Sequence, residues 1–98
     1  MVRWGYIFLA CPSGLADEQR RGLLELAARA WFSDEDPVRF DWGDCRGEIR
    51  ATSDTVALGA FYGQKFTGEV HLLDQSYEVR FLVAEKQLRA MGGAVAEA

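Results

Sequence analysis

Apolar and polar residues alternate most cleanly around residue 40, where Val38, Phe40 and Trp42 are separated by Arg39 and Asp41. A period of two puts successive side chains on opposite faces of an extended chain, so the pattern predicts a strand with one buried face. Gly43-Asp-Cys-Arg-Gly47 reads as a turn, and Glu48 to Thr52 resumes the alternation with Ile49 and Ala51 on one side. Residues 38 to 52 are therefore expected to form a hairpin. A second hairpin follows, in which Val70 and Leu72 alternate with Glu69 and His71. Asp74-Gln75-Ser76 makes its turn, and Tyr77, Val79, Phe81 and Val83 then alternate with Glu78 and Arg80.

Elsewhere the period changes. Leu23, Leu26, Ala27, Ala30 and Trp31 recur at helical spacing, which predicts a helix over 16 to 32 with Ser13 or Asp17 as its cap. On another face Asp17, Arg21, Glu25 and Arg29 follow at i+4, as an alternating ladder of charges. Lys86 to Met91 predicts a short helix closed by Gly92-Gly93, with 94–98 as a flexible tail.

Two apolar stretches have no alternation. Trp4 to Ala10 is stopped by Cys11-Pro12-Ser13-Gly14 and is expected to be an interior strand covered on both faces. Residues 55 to 62 suit either a short helix capped by Asp54 or a buried strand, and the β-branched start favours the strand. The order is then β-α-β-β-(β)-β-β-α. It predicts an α+β fold: a mostly antiparallel sheet of four to six strands, one long helix packed on one face, and a short C-terminal helix. Residues 1–93 are read as a single domain.

Composition supports this. Of the 98 residues, 49% are apolar, enough for one core without a metal or disulfide to hold it. Cys11 and Cys45 lie far apart in sequence and belong to no CxxC pair, and the chain has one histidine. Two reduced thiols and no metal or cofactor site are expected. Arg3 ahead of an apolar run, and Phe8-Leu9-Ala10-Cys11, look faintly like a lipoprotein signal. The run is too short and its charged flank too thin, and a first strand explains the same residues. No run approaches the ~20 apolar residues of a membrane span, so a cytoplasmic protein is expected.

Charge separates one segment from the rest. Asp34, Glu35, Asp36, Asp41, Asp44, Glu48 and Asp54, against Arg39, Arg46 and Arg50, carry the whole formal net charge of -4. An acidic balance argues against direct nucleic-acid binding, which needs a basic face, and favours a basic partner. Phe32 and Trp42 flank these acids, and mixed aromatic and charged patches suit protein interfaces. Trp31 falls on the buried stripe of the helix instead. The expected binding residues are thus Phe32, Asp34, Glu35, Asp36, Asp41, Trp42, Asp44, Glu48 and Asp54.

The inventory for catalysis is thin. Gly59 to Lys65 fails the phosphate-loop spacing. A Cys45–His71 dyad is the one nucleophilic pair the inventory permits, and no spacing supports it. The function expected is a small acidic, non-enzymatic binding protein that inhibits or sequesters a basic, nucleic-acid-binding protein or complex. In size and charge alone it is analogous to phage anti-defence (anti-CRISPR) inhibitors and toxin-immunity proteins. The alternatives are a ligand pocket on the free sheet face using Tyr6, Tyr62, Tyr77 and His71, a small enzyme using His71, and a homodimer. Leu73, Leu82 and Ala84, apolar on the polar faces of the last hairpin, point to some cover there.

Overall fold

The computed structural model describes residues 5–33, 35–59 and 61–97, so Asp34, Arg3 and Trp4 lie outside the described residues. The first alternating segment forms β2 (Val38–Asp41) and the start of β3 (Cys45–Leu58). They pair antiparallel with Val38 opposite Ile49 and Asp41 opposite Arg46. Val38 and Ile49 face the core, while Arg39 and Glu48 face away. The turn is tighter than expected, because Cys45 already belongs to β3 and Trp42 N donates to Cys45 O at 2.8 Å.

β3 then pairs along its length with β4 (Phe61–Leu72), and β4 with β5 (Gln75–Ala84). Residues 55 to 62 are therefore not one strand. They end β3 and begin β4, with Gly59 at φ 64° between them. Between the pairs Ala51–Phe66 and Thr55–Gln64, β3 carries three residues where β4 carries one. The two extra residues are an even number, so inward-facing positions on β3 stay inward beyond the bulge. Thr52 stitches this bulge: its hydroxyl donates to Lys65 O at 3.0 Å and accepts from Asp54 N at 3.1 Å.

The β4–β5 turn also differs from the expected Asp74–Ser76. Leu72 already pairs with Gln75, which leaves Leu73 and Asp74 as the loop. Leu73 adopts φ 56°, a left-handed conformation that a bulky residue rarely takes. It is 83% exposed.

The sheet order is β1-β5-β4-β3-β2, with every neighbour antiparallel. β2 to β5 form a meander of local hairpins, and β1 (Tyr6–Ala10) fills the open side of β5. β1 is thus an edge strand, where an interior one was expected. Tyr6 and Phe8 pack against the core, but Leu9 is 50% exposed. Apolarity on both faces signalled burial, and the position in the sheet was decided by which edge the meander left free.

β1 and β2 occupy opposite edges, so the chain between them must cross the sheet. α1 (Asp17–Phe32) has 16 residues and is about 24 Å long. That spans the roughly 19 Å of four strand spacings. Leu23, Leu24, Leu26, Ala27 and Ala28 are buried against Val38, Ile49, Phe66, Val70, Val79, Phe81 and Val83. Ala16, rather than Ser13 or Asp17, is the cap residue, and its N–H donates to the Gln19 side chain at 2.9 Å. The i+4 charge ladder makes no ion pair with itself among the described residues. Arg29 instead donates to both Glu35 oxygens, at 2.8 and 3.1 Å. α2 (Glu85–Glu97) runs past Gly92-Gly93, where it was expected to stop, and buries Leu88 in the same core. Both helices pack on one sheet face, leaving the other uncovered among the described residues. No helix of the described residues is long and apolar enough to cross a membrane.

Candidate functional site

The uncovered face is a lattice of charge. Register places Glu48, Glu69 and Glu78 directly opposite one another on β3, β4 and β5. Like charges so opposed are destabilising; arginines beside Glu48 and Glu78 offset theirs, while Glu69 has the His71 ring, a cation only when protonated. Arg50 lies 3.4 Å and Arg39 3.9 Å from Glu48, His71 lies 3.2 Å from Glu69, and Arg80 lies 3.3 Å from Glu78. Asp36 takes a second contact with Arg50 at 3.9 Å. Exposed pairs of this kind are worth about 0–1 kcal/mol each. Their effect is to offset the charge of Glu48, Glu78 and Asp36 locally.

On the same face the Ser76 hydroxyl lies 2.8 Å from His71 Nδ1, and Glu69 lies at its Nε2. Ser76 is the cross-strand partner of His71, and Glu69 its same-face neighbour on β4. Cys45 cannot join them. It is buried in the core, opposite Leu72, while His71 points out on the other side. The tyrosines do not converge on His71 either: Tyr6 packs against the core and Tyr62 stands exposed near the start of β4. Leu82 and Ala84, where cover was expected in support of a homodimer, are buried within the chain itself, with Leu82 flanked by Ile7 and Lys65 across the strands, whereas Leu73 is exposed.

One end of the molecule is different. The β1–α1 loop, the first turn of α1, the β2–β3 turn and the β4–β5 turn gather there. Leu73 N donates to Asp44 O at 3.3 Å and fastens the last two together. Residues 11–20, 41–46 and 72–75 hold five acids, Asp17, Glu18, Asp41, Asp44 and Asp74, and two bases, Arg20 and Arg46. None of these five carboxylates forms an ion pair among the described residues, whereas Glu35, Asp36, Glu48, Glu78 and Glu85 each have an arginine within 4.0 Å and Glu69 has the His71 ring. Among the described side chains the unpaired acids thus collect mainly at this end; Glu25 and Asp54 are the others among them. Asp41 accepts from Gly43 N at 2.9 Å, which orders the turn, and faces Arg46 across the strands without reaching ion-pair distance. Between the loops lies an open cleft of about 410 Å³.

The nine expected binding residues do not form one patch. Trp42 and Asp44, with Asp41, stand at the acidic end. Trp42 turns back over α1: its ring centre is 4.5 Å from that of Phe40, and its edge lies over Gly22. It remains 38% exposed. Phe32 is exposed at the far end of α1, ten residues from Gly22 and so about 15 Å along the axis. Glu35 and Asp36 are held by Arg29 and Arg50. Glu48 belongs to the charge lattice, and Asp54 sits in the bulge toward the other end of β3 from Asp44. Of the other residues at this end, Tyr77 was expected in a ligand pocket and Leu73 under some cover, while Asp74 was read only as a turn residue, in a turn placed one residue late.

Both cysteines are free thiols. Burial pushes the Cys11 thiol up, with the nearby Arg20 guanidinium opposing it in part. Burial also raises Cys45, helped by the negative charge of Asp44 and by Cys11. Neither is set up as a nucleophile. Among the described residues no cluster of three or more His, Cys, Asp or Glu side chains could hold a metal ion.

The chain matches no protein-family model, and neither curated proteins nor solved structures show a significant similarity to it.

Proposed function

We propose that this chain is a non-enzymatic binding domain that inhibits or sequesters a basic protein, such as a nucleic-acid-binding one, in the cytoplasm. Phage anti-defence inhibitors of the anti-CRISPR type and toxin-immunity proteins are the functional analogues. The observation that supports the reading is the separation of paired from unpaired carboxylates. Glu48 and Glu78 on the sheet face have arginines at hand, while Asp17, Glu18, Asp41, Asp44 and Asp74 have none within ion-pair distance among the described residues. A basic partner supplies the missing cations and gains steering from the field of the cluster. Exposed Leu73 and half-exposed Trp42 and Tyr77 add apolar contact at the same end.

The test is affinity capture from host lysate over a salt series. Retention of a basic protein should fall steeply with salt and be lost in the Asp44→Lys/Asp74→Lys double variant. Reversal at Glu35 and Asp36, already paired, should change it little. Retention indifferent to both salt and the double reversal would sink the reading.

The Ser76–His71–Glu69 line favours a second reading, a small hydrolase using His71. It has the order nucleophile, base and orienting carboxylate. It lies exposed beside a shallow depression of about 260 Å³, so it has order without enclosure. Hydrolysis of a chromogenic acetyl ester that is lost in Ser76→Ala would establish it, and a rate equal to buffer would remove it.

A further inference from the structure

The cleft at the acidic end has a composition of its own. Its apolar walls are Pro12 and Gly14 from the β1–α1 loop, Leu72 and Leu73 from the β4–β5 hairpin, and Tyr77 from β5; Ser13 and Gln19 add neutral polar groups, and the charged group on its rim is Asp44. The β1–α1 loop and the β4–β5 hairpin lie close at one wall, where a side chain built on Gly14 would come within 3.6 Å of Leu72 Cδ1. The rim is anchored too. Leu73 N donates to Asp44 O at 3.3 Å, and the Tyr77 hydroxyl donates to the Gln75 side chain at 2.9 Å. A volume of about 410 Å³ lies within the ~300–1,000 Å³ range of ligand sites.

We infer that this cleft receives an arginine side chain projecting from the basic partner. The inference rests on the proposed function and adds the chemistry of recognition. Apolar walls cover an aliphatic stem, and a carboxylate at the mouth meets the cation at its end. Arginine fits better than lysine for two reasons. Its guanidinium is the more weakly hydrated head and gives up less on leaving water. It is also planar, so it stacks on an aromatic face such as that of Tyr77 while pairing with Asp44. Leu73 stands at the rim in its left-handed conformation, where it presents apolar surface to the backbone that carries the arginine.

The inference is tested by ¹⁵N NMR titration of the intact chain at low salt with end-capped peptides Gly-Gly-X-Gly-Gly, where X is arginine, lysine or citrulline. The arginine peptide should give saturable shifts at Gly14, Asp44, Leu73 and Tyr77. The lysine peptide should bind several-fold more weakly, and citrulline, which keeps the shape and loses the charge, should give none. Asp44→Asn should weaken the arginine peptide about tenfold, and Tyr77→Leu several-fold, with the remaining amide signals unmoved as proof of folding. Shifts confined to Glu48, Glu69 and Glu78 overturn the cleft assignment while leaving a basic partner standing. Equal binding of citrulline overturns the role of charge. Free arginine amide binding as tightly as the peptide overturns the assignment to a protein partner. No shift anywhere, together with salt-independent capture, removes both the inference and the function it rests on.

Discussion

Gln64 donates from its side-chain amide to the Glu85 carboxylate at 3.2 Å, joining the centre of the sheet to the first residue of α2. The same nitrogen reaches Thr55 Oγ1 at 2.9 Å. At 5% exposure, Gln64 is the buried polar side chain among the described residues, and its bonds hold β3, β4 and α2 at one point. Gln64→Leu keeps much of the volume and removes both bonds, leaving Glu85 and Thr55 short of a partner. It should cost about 1–3 kcal/mol in denaturant unfolding. Hydrogen exchange should rise first in α2. Gln64→Glu should be worse, because it sets a second carboxylate beside Glu85.

Gly68 and Gly47 are required by close approach. A side chain built on Gly68 would run into the backbone oxygen of Glu48, and one on Gly47 into that of Glu69. Backbone in the middle of a sheet cannot step aside. Gly68→Ala should therefore destabilise by about 2–3 kcal/mol, at the upper end of overpacking. Gly14→Ala, whose new atom would meet Leu72 at an ordinary 3.6 Å, should be nearly neutral. Thermal unfolding of the two variants side by side checks the contrast.

Gly22 has a different neighbour. A methyl group there would sit 2.6 Å from the ring edge of Trp42, a side chain already 38% exposed and so with solvent beside it. Alanine in the middle of a helix gains about 1 kcal/mol over glycine, so the two effects oppose each other. Gly22→Ala should change stability by less than about 1 kcal/mol and shift tryptophan emission to the red. A large loss of stability with unchanged emission would mean that Trp42 cannot leave.

Both thiols are held above the ordinary value, chiefly by burial. The native state therefore keeps their protons more tightly than the unfolded chain does. Their contribution to stability is complete below the ordinary thiol pKa of about 8.5 and declines as pH rises through the raised native values. Alkylation of the native protein at neutral pH should be much slower than that of a free cysteine peptide. It should accelerate only at a pH above the range where the peptide titrates.

Much of the architecture was legible because alternation is local. Val38 to Ala51 and Glu69 to Val83 announced their faces, and two hairpins with one amphipathic helix leave few ways to close a core. Boundaries were less legible where turn geometry overrode residue preference. Leu73 occupies a left-handed position that its type disfavours, and Gly92-Gly93 does not stop α2.

The sequence by itself determined the α+β class, the antiparallel hairpins and the acidic surplus, since each follows from residue type and spacing within a few positions. Only the tertiary structure decided that β1 is an edge, because that depends on which side of the meander stays open. It also decided which acids are paired. Arg29 reaches Glu35 across the end of a helix, and Arg50 reaches Asp36 from another strand. The surplus that sequence assigned to 34–54 thus has its unpaired share chiefly where three turns meet, drawing Asp17, Glu18 and Asp74 from outside that segment. Charge adds along a chain, but pairing is settled by distance in space, and distance belongs to the fold.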